Sequence, residues 1–151
     1  MIGLALEQIL QLHALVLVKD CGAGGVRDVG RLDAAICVQT QVVFGEELYP
    51  DIFSKAAAVI RSVIADHPFV DGNKRTAILA GLTLLELNNY HFDAISGELE
   101  DFAVRIATDR LSITEIADWL RARVNKKNCN KRLDRLRGDS RDGIRTQAAC
   151  L

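Results

Sequence analysis

The segment that most constrains the fold covers residues 76–87, because apolar side chains occupy almost every side of the helix it would form. A helix that is apolar all round has to be surrounded by other elements. Gly81, in the middle of the segment, would allow a neighbouring helix to approach closely. A chain of 151 residues is long enough to enclose one such helix in a single core. We therefore expect one domain built around a central, buried helix.

The remainder of the body is also predicted to be mostly helical, because apolar residues recur there at helical spacing. Asp51 is placed to cap one of these helices, and Ser112 with Glu115 forms a capping box ahead of another. Two segments, 41–49 and 90–92, are β-branched or aromatic and predict a small hairpin and a brief extended piece. The fold class is therefore all-α, a helical bundle with a small β-hairpin flap. The predicted outer helices cover residues 4–19, 31–38, 51–66 and 98–107, and the last one begins at 112.

Charge divides the chain at Val124. Residues 1–124 contain eleven Lys or Arg and seventeen Asp or Glu, a net charge of -6, whereas residues 125–151 contain eight and three, a net charge of +5. We interpret residues 1–124 as the folded domain and residues 125–151 as a basic, flexible tail, and the sequence leaves open whether this tail is native. The tail lacks aromatic residues for stacking and mixes its cations with acids, so we do not expect direct binding to nucleic acid.

Several function classes are excluded by residue spacing. The cysteines form no C-x-x-C pair, which argues against a zinc site or a redox motif and favours reduced thiols in the cytoplasm. The apolar stretch 10–18 is too short and too polar for a membrane span or a signal peptide. His13 and His91 lack partners at the spacing of metal sites, so we interpret them as core or edge residues. The four cysteines are Cys21, Cys37, Cys129 and Cys150.

One segment combines side chains that could bind a ligand or catalyse a reaction. It lies directly ahead of the central helix, at residues 67–76, and reads His-Pro-Phe-Val-Asp-Gly-Asn-Lys-Arg-Thr. The first turn of a helix has unpaired N–H groups that attract phosphate, and Gly72 would let a phosphate approach the backbone. Lys74 and Arg75 would add a point charge and a bidentate donor. Because cations at a helix N-terminus oppose the helix dipole, these two residues favour a bound anion.

Other residues of this segment fit the same chemistry. Asp71 offers the hard oxygen that Mg²⁺ prefers when phosphates and water complete its coordination. His67 can accept a proton near neutral pH, and Phe69 can anchor the loop in the core. An ordinary helix start is the alternative, because Asp71-Gly72 is a common turn and Asn73 can cap a helix. The residues themselves favour a phosphate site and leave that alternative open.

This segment resembles the signature of the Fic/Doc family, which reads H-x-F-x-[D/E]-[G/A]-N-[G/K]-R, and the match is unbroken over residues 67–75. The surrounding sequence is similar to the death-on-curing branch of that family. The similarity runs from the first predicted helix to about Val124 and implies a compact, Fic-type helical bundle. The flanking strings that carry it are Gly-Val-Arg-Asp at 25–28, Phe-Gly-Glu-Glu-Leu-Tyr-Pro at 44–50 and Leu-Glu-Leu-Asn at 85–88.

The resemblance implies a role for each residue of the motif. His67 would be the general base that takes the proton from a target hydroxyl, and Phe69 would anchor the loop. Asp71 would hold Mg²⁺ on the phosphates of ATP. The segment 41–49 looks like the family's flap, which aligns the target chain by strand-type pairing. The anion pocket would comprise Gly72, Asn73, Lys74 and Arg75, and the flap would comprise Val42, Val43, Phe44 and Gly45.

Two positions indicate the reaction. AMP-transferring Fic proteins usually have Gly where this chain has Lys74, and a second Arg where it has Ile78, whereas Doc toxins share the Lys and lack that Arg. The resemblance therefore implies a toxin with kinase-type activity, which moves a phosphoryl group from ATP to a Ser or Thr of a translation factor such as elongation factor Tu and so inhibits translation. AMP transfer to a protein hydroxyl and a non-catalytic partner-binding module remain the alternatives.

Regulation is expected in trans. Self-inhibited Fic proteins carry the string [S/T]-x-x-x-E-[G/N], and residues 96–100 approach it but are followed by Asp101. The resemblance therefore implies neutralisation by a separate Phd-type antitoxin that folds on binding.

Overall fold

The computed structural model describes residues 1–93 and 97–126, and within them it contains six α-helices and two small antiparallel sheets. The predicted fold class, an all-α bundle with a small hairpin, is confirmed. Two segments lie outside the described residues. They are residues 94–96, which include Ser96, and residues 127–151, which include Cys129 and Cys150. The helices are α1 (Leu6–Asp20), α2 (Val29–Cys37), α3 (Ile52–Asp66), α4 (Asn73–Leu87), α5 (Glu98–Thr108) and α6 (Ile113–Ala122), and the strands are β1 (Val42–Val43), β2 (Glu46–Glu47), β3 (Tyr90–Phe92) and β4 (Val124–Lys126).

Helices α3 and α4 form the centre of the molecule. The predicted burial of the central helix is confirmed, because Ala77, Ala80 and Leu84 of α4 are all inaccessible to solvent. A Cβ atom added to Gly81 would lie 2.3 Å from Cδ1 of Ile60, so glycine lets the two helices come this close. Helix α3 is equally central, since residues 56–60 are fully buried along more than one turn.

Three helices begin where a side chain caps the first turn. Asp51 caps α3, and the capping box of Ser112 and Glu115 starts α6 as predicted. Helix α2 begins at Val29, two residues before the predicted start, because the side chain of Asp28 accepts a hydrogen bond from the N–H of Arg31. Helix α4 begins at Asn73, three residues before the apolar pattern starts, because its first turn is polar and faces the surface.

Both predicted extended segments form strands. In the hairpin, Val42 pairs with Glu47 and Val43 with Glu46. The second extended segment forms β3 and pairs with β4, a partner that the sequence pattern does not predict. The proposed start of the basic tail at residue 125 falls within β4, so the first two residues after Val124 pair with the domain, and the division at 124 stays a prediction.

The two histidines outside the motif could have been metal ligands, and two of the four cysteines lie within the described residues. His13 is buried, and His91 lies exposed on β3, where its Nδ1 atom is 2.8 Å from a carboxylate oxygen of Glu86. Cys21 and Cys37 are exposed free thiols. None of the helices within residues 1–93 and 97–126 has both the length and the apolar character that crossing a bilayer requires.

Candidate functional site

The loop between α3 and α4 begins with a sharp turn at His67. This residue follows α3 with φ 46° and ψ 57°, in the left-handed region, and its N–H donates to the carbonyl of Val63 at 3.3 Å. This conformation is uncommon for residues other than glycine, although histidine adopts it more often than most, and the hydrogen bond to Val63 helps to hold it. The turn leaves the imidazole of His67 exposed to solvent between the two central helices.

The interior of the loop is closed by Phe69 and Asn73. Phe69 is 1% exposed and forms part of the core, as predicted. The N–H of Phe69 donates to Oδ1 of Asn73 at 2.9 Å, and Nδ2 of Asn73 donates to the carbonyl of Phe69 at 3.0 Å. Asn73 therefore uses its side chain to close the loop, which leaves its backbone N–H on the first turn of α4 to face an anion.

His13 of α1 supports the same loop from the inside. Its ring stacks on Phe69 with centroids 3.9 Å apart and an angle of 12° between the planes. Its Nε2 atom lies 2.9 Å from the carbonyl oxygen of Asp71, and because a carbonyl can only accept, Nε2 carries the proton and donates it. The burial predicted for His13 is observed, but sequence reasoning missed this contact. The available signal was a polar residue within the apolar stripe of the first helix, since a buried polar group requires a partner.

A short extended segment supports the loop from the outside. Val26 forms an isolated antiparallel bridge with Phe69. The carbonyl of Pro68 accepts hydrogen bonds from the N–H groups of Arg27 and Asp28, at 2.7 and 3.1 Å. The loop is therefore held on both sides, by α1 and by the segment that leads into α2.

A cavity of about 430 Å³ lies in front of this loop. It brings together the proposed base, the proposed metal ligand and the proposed anion pocket, while Phe69 lies buried behind it. We call it the loop cavity. Its lining residues are Val16, Leu17, Gly22, His67, Val70, Asp71, Gly72, Asn73, Lys74 and Arg75.

The N-terminus of α4 opens into the loop cavity without a side-chain cap from any described residue. Gly72, at the N-cap position, has φ 76°, which glycine adopts easily. Its own N–H donates to Oδ1 of Asp71 at 2.7 Å. The N–H groups of the first turn and the side chains of Lys74 and Arg75 therefore surround a space that suits phosphate oxygens.

Asp71 is exposed at the edge of this space, and the chain leaves room for its carboxylate. A Cβ atom on Gly22 would lie 2.7 Å from Oδ2 of Asp71, so a larger residue there would displace the carboxylate. Within the described part of the chain, no group of three metal-ligating side chains occurs. A site with one carboxylate fits Mg²⁺ that takes its remaining ligands from phosphates and water.

The hairpin is joined to the end of α3 opposite His67. It precedes the N-terminal turn of α3, where Glu47 lies 3.4 Å from Nζ of Lys55, whereas His67 follows the C-terminal turn of α3. The helix between them is about 20 Å long. None of the predicted flap residues lines the loop cavity, and their target-aligning role stays a prediction. These residues, Val42, Val43, Phe44 and Gly45, are all exposed at the surface.

Comparison with known proteins agrees with the motif. The chain matches the Fic/DOC family over residues 3–85, a region that includes the whole loop and most of α4. A protein of Mycolicibacterium smegmatis named Toxin Doc is 39% identical over 94 residues, which cover 61% of this chain and 72% of that protein. A protein of Escherichia phage P1 named Protein kinase doc is 36% identical over 117 residues, which cover 76% of this chain and 90% of that protein. The chain therefore belongs to the Fic/DOC family.

Proposed function

We propose that this chain is a Doc-like toxin that transfers the γ-phosphoryl group of ATP to a Ser or Thr hydroxyl of a protein. The observation that carries the proposal is the uncapped start of α4, which faces the loop cavity together with His67, Asp71 and Lys74. The names of the two relatives, Toxin Doc and Protein kinase doc, support it.

The start of α4 would bind the phosphates of ATP. Backbone N–H groups of the first turn donate to phosphate oxygens, and Lys74 and Arg75 neutralise their charge. Asp71 would hold Mg²⁺, which when bound neutralises charge on the phosphates. Phosphoryl transfer depends mainly on such positioning and charge neutralisation, so a preformed site of this kind supplies most of what the reaction needs.

His67 would handle the proton of the accepting hydroxyl. As the hydroxyl oxygen bonds to the γ-phosphorus, the bond from that phosphorus to the β–γ bridging oxygen breaks and ADP leaves. The hydroxyl proton passes to the imidazole of His67, which is exposed at the edge of the loop cavity and can reach it.

The environment of Lys74 supports phosphoryl transfer over AMP transfer. Lys74 is exposed on the first turn of α4 and lines the loop cavity, where it adds charge and fills space. Ile78, one turn further along, is 5% exposed and offers no second guanidinium to the phosphates. Both features match the residues that the resemblance associates with kinase-type Doc proteins.

The proposal extends to partners and place of action. The protein substrate would be a translation factor such as elongation factor Tu, so that the modification inhibits translation. A Phd-type antitoxin would neutralise the toxin in trans, and both would act in the cytoplasm, where ATP and the translation machinery are found. The word toxin in the name of the mycobacterial relative supports this part.

A double-label experiment tests the proposed reaction. The protein is incubated with bacterial extract and with ATP labelled at either the α or the γ phosphorus. We expect label to reach protein from the γ position only, and to be lost with His67→Asn, since asparagine tolerates the left-handed backbone but is no base. His91→Asn is the matched control, because His91 is exposed on β3 outside the loop cavity. Transfer of α label without γ label would contradict the proposal and favour AMP transfer.

A further inference from the structure

A second cavity, of about 350 Å³, lies on another side of His67. Its walls come from the last turns of α3 and α5, and His67 lines both this cavity and the loop cavity. We call it the basic cavity, because its lining includes two guanidinium groups and no carboxylate. The residues that line it are Arg61, Ile64, Ala65, His67, Ile106, Ala107 and Arg110.

The two arginines of the basic cavity lack acidic partners among the described residues. Nε of Arg61 donates to the carbonyl of Leu111 at 3.2 Å, which fixes the base of its guanidinium without neutralising it. Arg110 follows α5 in the left-handed region, with φ 50°, and forms no ion pair within the described part of the chain. Two guanidinium groups around one cavity with no carboxylate in its lining make a favourable place for an anion.

Positive charge is concentrated around His67 although the body is acidic. Residues 1–124 have a net charge of -6 and eleven cationic side chains. Six of the eleven border the loop that begins at His67. Two line the loop cavity and two line the basic cavity. The remaining two donate to the carbonyl of Asp66, the residue before His67, although one of them also pairs with Asp28. The six are Arg27, Arg31, Arg61, Lys74, Arg75 and Arg110.

We propose that the basic cavity binds an acidic side chain of the protein substrate, next to the hydroxyl that accepts the phosphoryl group. This inference rests on the proposed function, which places ATP in the loop cavity and the hydroxyl at His67. A substrate chain that presents its hydroxyl to His67 then leaves the basic cavity for the neighbouring residues. The apolar part of that cavity, formed by residues such as Ile64 and Ile106, can pack against the methylene groups of a glutamate.

Peptide binding without ATP tests this proposal. The probes are two fluorescein-labelled heptapeptides with a central threonine, one flanked by glutamates and the other by glutamines, and fluorescence anisotropy measures their affinity. We expect the glutamate peptide to bind at least tenfold more tightly, and the difference to shrink at high salt. The double variant Arg61→Gln with Arg110→Gln should remove the difference. Arg105→Gln, on α5 but outside the cavity, should change the affinity by less than twofold.

Three outcomes would overturn the proposal. The first is equal affinity of the wild-type protein for the two peptides, including the case in which neither binds measurably. The second is a double variant that keeps the preference for glutamate. The third is a double variant that loses affinity for ATP, because the cavity would then belong to the nucleotide site. Both arginines are exposed, so we expect unchanged thermal unfolding of each variant. The peptide assay contains no ATP. Its result therefore does not depend on whether the double-label experiment detects transfer.

Discussion

The two central helices begin in opposite ways. At the start of α3, Oδ1 of Asp51 accepts hydrogen bonds from the N–H groups of Phe53 and Ser54, at 3.0 and 3.1 Å. At the start of α4, Gly72 provides no side chain, and within the described residues no other side chain caps the turn. The first arrangement satisfies the helix dipole internally, whereas the second leaves backbone donors facing the loop cavity, with Lys74 beside them. The start of α4 is uncapped and opens into a cavity, and this combination favours binding of an anion.

The largest effect is expected from removing the proposed base beside the uncapped start. His67→Asn should lower γ-phosphoryl transfer by about 10²–10⁴-fold, the usual contribution of general base catalysis. ATP affinity should change little, because the phosphate donors belong to α4. The rate is measured with γ-labelled ATP, and affinity by calorimetry. A variant that transfers label at the wild-type rate would show that His67 is no base here.

Gly72→Asp would add a carboxylate at the start of α4, on a left-handed backbone (φ 76°) rather than the extended one from which Asp51 caps α3. The added carboxylate would compete with phosphate for the same N–H groups, so we expect ATP affinity to fall at least tenfold. The matched control is Gly72→Asn, which shares the backbone φ of 76° and the 3.2 Å contact of its Cβ with Val16 but adds no charge. If both variants weaken ATP binding equally, strain or hydrogen bonding by the new side chain, rather than its charge, explains the loss.

His13→Phe tests the support behind the uncapped start. Phenylalanine keeps the stacking on Phe69 but cannot donate to the carbonyl of Asp71. Loss of one hydrogen bond is worth about 1 kcal/mol, so we expect about a fivefold rise in the KM for ATP with kcat little changed. His13→Gln retains a donor and should recover part of the affinity. An unchanged KM in His13→Phe, with lower thermal stability, would assign His13 to the core only.

The smallest effect is expected at the capped start. Asp51→Ala should lower the free energy of unfolding by about 1 kcal/mol and leave ATP affinity unchanged. Chemical denaturation measures the first quantity and calorimetry the second. A loss of ATP affinity in this variant would show that the two helix starts are not functionally separate.

The contribution of Asp51 to stability should depend on pH. Burial by itself raises the pKa of Asp51, but hydrogen bonds from Ser54 and Phe53 and the charge of Arg121 outweigh it and lower that pKa below its ordinary value. A carboxyl with a lowered pKa stabilises the fold above its unfolded pKa and loses that contribution as pH falls through the folded value. The stability difference between wild type and Asp51→Ala should therefore be complete at neutral pH and shrink below about pH 4. A difference that is constant down to pH 2 would contradict this.

Local signals allowed much of the fold to be predicted. The caps at Asp51 and Ser112 and the apolar segment 76–87 each act within a few residues, so they could be read directly from the sequence. The apolar pattern predicts the start of α4 three residues too late, because a polar first turn has no apolar periodicity. The motif identifies the loop at 67–75, and all of its residues except Pro68 and Phe69 line one cavity.

Contacts between distant segments could not be predicted from one sequence. The hydrogen bond from His13 to Asp71 spans 58 positions and depends on how α1 packs against the loop. Arg61 and Arg110 come together only through the packing of α3 beside α5. The absence of residues 42–45 from the lining of the loop cavity is likewise a matter of tertiary packing, which local patterns of strand and turn do not reveal.

The central claim is that the uncapped start of α4 binds the phosphates of ATP, and backbone amide NMR tests it directly. Titration with ATP and Mg²⁺ should shift the amide resonances of Gly72, Asn73 and Lys74 most strongly, while those of Phe53 and Ser54 at the capped start of α3 stay in place. Shifts at the start of α3 as large as those at the start of α4, or none at the start of α4 at saturating ATP, would contradict the account.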